Sequence, residues 1–205
     1  DSRTLSRIIR LTPTEKRAID LAKSGHLPFA ITPYYASLMD WESHRRRDHA
    51  VRSQVIPTVY YVSQIQSHKA DSDYCFDFMQ EHNTSPVDLI TRRYPHIAIF
   101  KPYNTCSQIC VYCQRNWEIK DALMPHAMAE GSKIKKALQW LKKHTGIIEV
   151  LITGGDPLVL PDRKILELLE QVASIPHVER IRIGSRTPVA LPQRLTDDLV
   201  QGIAS

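Results

Sequence analysis

No stretch of this sequence approaches the run of about 18 apolar residues that a membrane-crossing helix needs, which excludes a membrane span. Cysteine is scarce: there are 4 in 205 residues, and three of them share one short stretch. That is not the dispersed, even set of a disulfide framework, and it points to a reducing compartment. The sequence opens at Asp1-Ser2-Arg3 without an initiator methionine or an apolar signal region, so a cytoplasmic protein is expected. Neither sign of charge dominates. The 27 basic and 22 acidic side chains leave +5, spread along the chain apart from Arg45-Arg46-Arg47 and the set Lys133, Lys135, Lys136, Lys142 and Lys143. So mild a balance can favour anionic ligands but does not indicate nucleic acid. With 42% hydrophobic residues the chain can bury a core, as one large domain or a small domain joined to part of another.

What the chain concentrates is thiol. Cys106-Ser107-Gln108-Ile109-Cys110-Val111-Tyr112-Cys113 sets three cysteines in one loop, just after the apolar run Ile97-Ala98-Ile99-Phe100. Iron–sulfur clusters usually take four cysteines, and structural zinc usually takes four nitrogen or sulfur ligands. Three thiolates at this spacing therefore suggest a cluster with one metal position left open for chemistry. A zinc site completed by His126 or Cys75 is the alternative on these residues. Buried structural thiols are a further one, since free cysteine is among the most buried residue types.

The first 80 or so residues read as helical and accessory. Thr12-Pro13-Thr14-Glu15 starts a helix: Thr12 caps it, Pro13 fits the first helical position and Glu15 completes a capping box. Gly25 is its stop, after Ser24. A second start follows at Thr32-Pro33. Residues 45–52 are strongly charged and read as a solvated turn or helix face. Residues 66–84 lack periodicity and read as a connector, with Cys75 in it as a partly buried lone thiol.

From about residue 96 the pattern alternates between strands and helices. Ile97 to Phe100 is a buried strand. A helix follows with Ile134, Ala137, Leu138 and Leu141 on one face and lysines opposite. Ile147 to Ile152 is a strand ending in Thr153-Gly154-Gly155-Asp156-Pro157. Asp162 is expected to cap a helix carrying Ile165, Leu168, Leu169 and Val172. Val178 to Ile183 is a strand ending in Gly184-Ser185-Arg186-Thr187-Pro188, and Thr196 opens a last helix. Such alternation implies parallel βαβ units. Two domains are expected: a helical accessory region over 1–90 and the first part of a βα barrel over 91–205. In a barrel the loops after the strands carry the active site, so the cysteines, the Gly-Gly-Asp turn and Ser-Arg-Thr share one rim. Gly154 and Gly155 can let the backbone approach a ligand closely, with Asp156 holding an amino group, although an ordinary βα turn uses the same residues. Ser185 and Arg186 can bind a carboxylate or a ribose.

The CxxxCxxC spacing, with Tyr112 before the third cysteine, resembles the signature of the radical S-adenosylmethionine enzymes. Ile31-Thr32-Pro33-Tyr34-Tyr35, Arg92-Arg93-Tyr94-Pro95, Leu151-Ile152-Thr153-Gly154-Gly155-Asp156-Pro157-Leu158 and Ile181 through Pro188 resemble the lysine 2,3-aminomutase family. The resemblance runs from about residue 12 to residue 200. It implies an α/β partial TIM-type (β/α)6 barrel of which the first three βα units are present. It also implies a [4Fe–4S] cluster held by Cys106, Cys110 and Cys113. S-adenosylmethionine would be contacted by Gly154, Gly155, Asp156, Ser185, Arg186 and Tyr112. A 5′-deoxyadenosyl radical would then drive 2,3-migration of an amino group on a pyridoxal 5′-phosphate-bound amino acid. Arg93 and Tyr94 would lie by the pyridoxal phosphate, and Arg115 by the substrate carboxylate. The partners implied are a small amino acid, an electron donor such as flavodoxin or ferredoxin, and a second copy of the chain in a homo-oligomer, with no membrane.

The chain departs from the family pattern in two places. Gln114-Arg115-Asn116-Trp117 follows the third cysteine where the family has a run of basic residues. Ile97 stands where a second basic residue is common. Both departures remove positive charge from an anionic site. The family's pyridoxal phosphate lysine and its acidic substrate-selecting residues would fall beyond residue 205, so a fragment of a longer protein is expected. Three other readings are open: the same radical chemistry on a protein lysine, a zinc- or nucleic-acid-binding module, and a non-catalytic remnant that keeps the cluster.

Overall fold

A computed structural model of the chain describes residues 1–42, 46–115, 118, 119, 122 and 127–205. Arg45, Asn116, Trp117 and His126, singled out above, lie outside the described residues. The chain divides into two compact units. One comprises Asp1–Phe76, Ser107–Met124 and Val189–Leu191, the other Asp77–Cys106, Pro125–Pro188 and Pro192–Ser205. Among the described residues no helix is long and apolar enough to cross a membrane.

The first unit carries α1 (Ser2–Leu5), α2 (Pro13–Ser24), α3 (Pro33–Ser37), α4 (Arg46–Arg52) and α5 (Val59–Ala70). The capping box forms as its residues dictate: the Thr12 hydroxyl accepts from the Glu15 N–H at 3.1 Å, and the Glu15 carboxylate accepts from the Thr12 N–H at 2.7 Å. Gly25 ends α2, and the Thr32 hydroxyl caps α3 by accepting from the Tyr35 N–H at 3.1 Å. Leu5, Ile9, Ile19, Tyr35, Met39 and Val55 form this unit's core.

Three expectations for this unit are corrected. The connector begins later than residue 66, because α5 continues to Ala70. Val62 is the one fully buried residue of α5, so no apolar stripe announces that helix in the sequence. The charged stretch 45–52 is not wholly a solvated face. Arg46 and Arg47 are exposed, but α4 turns Asp48 and Arg52, one helical turn apart, into the interior with side chains 1% and 2% exposed. The Arg52 guanidinium pairs with Asp48, donates to the Asp40 carbonyl at 2.6 Å and lies 3.3 Å from a Glu15 carboxylate oxygen. Cys75 is exposed rather than partly buried. Its flanking rings take the available contacts, Tyr74 stacking on His68 at 3.8 Å and Phe76 meeting Tyr74 edge-on at 4.9 Å.

The second unit carries β1 (Ile90–Thr91), β2 (Ile97–Tyr103), α6 (Gly131–Lys143), β3 (Glu149–Gly154), α7 (Asp162–Ala173), β4 (Arg180–Ile183), the short α8 (Thr187–Ala190), which runs on into the first unit's last segment, and α9 (Asp197–Ala204). Its sheet has the order β1-β2-β3-β4, with β2, β3 and β4 parallel. This is the expected arc of three βα units. The antiparallel β1 is an addition: at two residues it is too short to show the alternation that marks a strand.

Ile134, Ala137 and Leu141 of α6 and Ile165, Leu168 and Val172 of α7 recur at helical spacing. They pack with Phe100, Val150 and Ile152 of the sheet. Each such large side chain contributes about 1.5–3 kcal/mol when fully buried. Asp162 does not cap α7. Pro161 precedes the helix without a side-chain cap, and the Asp162 carboxylate, in the first turn, pairs with Arg194 at 2.6 Å. At the opposite end of the sheet from the strand C-termini, Glu149 pairs with Arg180 at 2.9 Å and also with Arg182.

Candidate functional site

In the second unit the C-terminal ends of β2, β3 and β4 lie side by side. They lead respectively into Thr105-Cys106, into Gly154-Gly155-Asp156 and into Gly184-Ser185-Arg186-Thr187. The two glycines let the β3 loop lie against the β2 loop. Gly154 has φ +109°, a conformation that L side chains resist. A Cβ on Gly155 would stand 2.3 Å from the Thr105 carbonyl oxygen and 2.5 Å from its nitrogen. The Gly155 N–H donates to the Tyr103 carbonyl at 2.7 Å, and the Asp156 N–H donates to the Thr105 carbonyl at 2.8 Å. Gly-Gly-Asp thus fixes the residue next to Cys106.

Asp156 is 5% exposed, and its carboxylate is the hub of the rim. One oxygen accepts from the Leu158 N–H at 3.1 Å and the Ser185 hydroxyl at 2.7 Å; the other accepts from the Arg186 and Thr187 N–H groups at 2.8 Å each. Tyr103, at the end of β2, has its phenol pushed up by burial and by the negative charges of Cys106 and Asp156. The Thr187 hydroxyl is buried without a hydrogen-bond partner.

Cys110 and Cys113 belong to the first unit. Apolar neighbours anchor their stretch. Ile109 and Val111 line an apolar pocket with Phe29, Val55 and Val62, while their N–H groups donate to the Ala30 and Gln54 carbonyls at 3.0 and 2.9 Å. The Cys113 N–H donates to the Cys110 carbonyl at 3.2 Å, closing a tight turn. Burial pushes the Cys113 thiol up, the Cys110 and Glu118 charges add to this, and the Arg115 N–H and charge oppose it. Arg115 is ion-paired with Glu118, and Tyr112 is 61% exposed. Gln108 is 3% exposed, and neither end of its side-chain amide has a hydrogen-bond partner.

Arg93 and Tyr94 are not on the rim. They are exposed and precede β2, at the entry side of the sheet.

All three cysteines of the loop are free thiols and half-buried. Soft, undisulfided sulfur donors of this kind suit an iron–sulfur centre. Among the described residues no three His, Cys, Asp or Glu side chains are gathered into a metal-holding group, so the match to a cluster rests on the donor set. The Thr187 hydroxyl, buried without a partner at the rim, is what a polar ligand there would satisfy.

Residues 100–204 match the model of the radical SAM superfamily. The chain belongs to that superfamily. Membership implies a [4Fe–4S] cluster and S-adenosylmethionine for a radical SAM protein. An uncharacterized KamA family protein of Methanocaldococcus jannaschii is 46% identical over 196 residues, 96% of this chain and 32% of that protein. The L-lysine 2,3-aminomutase of Fusobacterium nucleatum is 39% identical over 175 residues, 84% of this chain and 38% of that enzyme. The glutamate 2,3-aminomutase of Clostridioides difficile is 36% identical over 200 residues, 97% of this chain and 44% of that enzyme. The chain therefore spans between about a third and under half the length of these relatives.

Sequence reasoning overlooked Tyr103, Gln108 and Thr187. Tyr103 alternates with Ile97, Ile99 and Lys101, the half-buried positions of β2. The other two show themselves through burial without partners, which no sequence pattern carries.

Proposed function

We propose that this chain is the cluster- and S-adenosylmethionine-binding part of a radical isomerase that moves an amino group between adjacent carbons of an amino acid. One observation carries the reading: the loop of the first cysteine, the Gly-Gly-Asp turn and Ser185-Arg186 leave the C-terminal ends of three adjacent parallel strands. When bound, the reduced cluster with S-adenosylmethionine would supply a primary-carbon radical able to take hydrogen from a substrate.

The chain's own part is to bind, orient and exclude water. Cys106, Cys110 and Cys113 would hold the cluster through their thiolates. Ser185, Arg186 and the backbone of Gly154 and Gly155 line the cofactor's site, with the Thr187 hydroxyl free to join them. Arg115 selects a carboxylate, and its existing pairing with Glu118 means that the substrate must displace an internal anion, which favours well-oriented carboxylates over stray ones. The electron that this chemistry needs would come from an external one-electron donor of the flavodoxin or ferredoxin kind.

The test uses the full-length protein, reconstituted anaerobically and reduced, with S-adenosylmethionine and candidate amino acids. Formation of 5′-deoxyadenosine together with a β-amino acid, detected by NMR, supports the reading. A loaded cluster that never cleaves S-adenosylmethionine overturns it. The missing positive charge at Gln114 and Ile97 favours a second reading, in which the same chemistry acts on a lysine of another protein. Cleavage with no amino acid product, but with a mass change on a protein substrate, would select it.

A further inference from the structure

Asp156 is the natural candidate for a direct contact to the cofactor's ammonium group, yet its surroundings argue for a different part. An ionised carboxylate offers about four acceptor positions, and here four protein donors occupy them: the N–H groups of Leu158, Arg186 and Thr187 and the hydroxyl of Ser185, all within 3.1 Å. The residue is also 5% exposed. Meeting a ligand would mean giving up at least one of these charge-assisted bonds and emerging from the interior, at a cost in desolvated donors.

We propose that Asp156 is a positioning residue, whose carboxylate holds the loop after β4 onto the loop after β3 while its own N–H holds the loop after β2. One residue thereby ties the loops of all three parallel strands. Its N–H donates to Thr105, the residue before Cys106. Its side chain accepts from the Ser185 hydroxyl and from the Arg186 and Thr187 N–H groups, and so holds those three residues in place. Ser185 is the second half of the device: its hydroxyl donates to Asp156 and accepts from the Thr187 N–H at 3.0 Å. The ligand-facing groups of the rim are in this way set before any ligand arrives, which lowers the ordering cost of binding.

The proposal rests on the cofactor reading above only for its ligand arm, so the test has two arms. Asp156→Asn, Ser185→Ala and the double variant are made in the full-length protein. The first arm measures amide hydrogen exchange at Leu158, Arg186 and Thr187 without ligand. Both single variants should speed exchange at Arg186 and Thr187, by about tenfold or more for Asp156→Asn, as loss of a charge-assisted bond implies. The double variant should add little to Asp156→Asn, because the two residues act as one unit. Unchanged exchange in both single variants overturns the proposal, and Ser185→Ala decides the matter even if Asp156→Asn fails to fold.

The second arm titrates S-adenosylmethionine and its deaminated analogue. A positioning role weakens both ligands by the same factor. Weakening confined to the ligand with an amino group, together with a neutral Ser185→Ala, means direct contact and refutes the proposal. A wild-type protein that binds neither ligand would refute the cofactor reading instead, leaving the exchange arm to judge the clasp.

Discussion

Gly155→Ala is the sharpest perturbation the rim offers. The new methyl carbon would sit 2.3 Å from the Thr105 oxygen, 2.5 Å from its nitrogen and 2.9 Å from its carbonyl carbon. All three are backbone atoms, so no side chain can swing aside, and relief requires the β2 and β3 loops to part. Parting them strains two hydrogen bonds, Gly155 to Tyr103 at 2.7 Å and Asp156 to Thr105 at 2.8 Å. Overpacking costs about 1–3 kcal/mol, and each bond contributes roughly 1 kcal/mol, for a loss of about 3–5 kcal/mol. In a chain of this size 1 kcal/mol moves Tm by about 2–4 °C, so thermal unfolding followed by circular dichroism should show a fall of at least about 6 °C. Displacement of Thr105 should also lower the iron retained per chain after reconstitution, because Cys106 is the next residue. Gly131→Ala is the control: its methyl meets nothing within 4 Å and lies in α6, where alanine is the better helix former. A Gly155→Ala protein with wild-type Tm and iron content would refute the claim that this glycine sets the cysteine loop.

Other outcomes follow from groups away from the rim. Arg52→Met should cost about 3–5 kcal/mol, because it leaves the buried Asp48 carboxylate without its cation; a denaturant midpoint within error of wild type would contradict this. Gln108→Leu should raise the Tm of the protein without cluster, relieving roughly 1–3 kcal/mol of unpaired buried amide, and a fall would show that the amide is satisfied. Arg180 and Arg182 hold the Glu149 carboxyl below the ordinary glutamate value of 4.5. Its stabilising effect is therefore present above that pH and is lost as pH falls through the lowered value. Glu149→Gln should accordingly destabilise at neutral pH and converge on wild type in acid; a gap constant with pH would count against the pairing.

Helix starts were the most legible part of the fold, because a cap is written in two or three adjacent residues. Thr12 with Glu15, Thr32 with Pro33, and Thr196 all cap where the sequence indicates. Strands β2 and β3 and the α6 and α7 faces were legible because each buries a repeating set of apolar side chains. What escaped depends on neighbours distant in sequence. Arg52 reads as a surface charge until Asp48, Asp40 and Glu15 are found around it. Asp162 reads as a cap until Arg194 draws its carboxylate away, and α5 has too little buried surface to pattern its sequence. At the site, the cysteine spacing and the Gly-Gly-Asp turn were visible in the residues themselves. The occupation of the Asp156 carboxylate by the β4 loop, some 29 to 31 residues away, was not.

The most direct test of the central claim is the iron, sulfide and zinc content per chain after anaerobic reconstitution, with an EPR spectrum before and after adding S-adenosylmethionine. About four irons with matching sulfide, and a reduced-cluster signal that shifts when the cofactor is added, are the predicted result. Zinc bound without sulfide, or a cluster whose spectrum ignores S-adenosylmethionine, would contradict it.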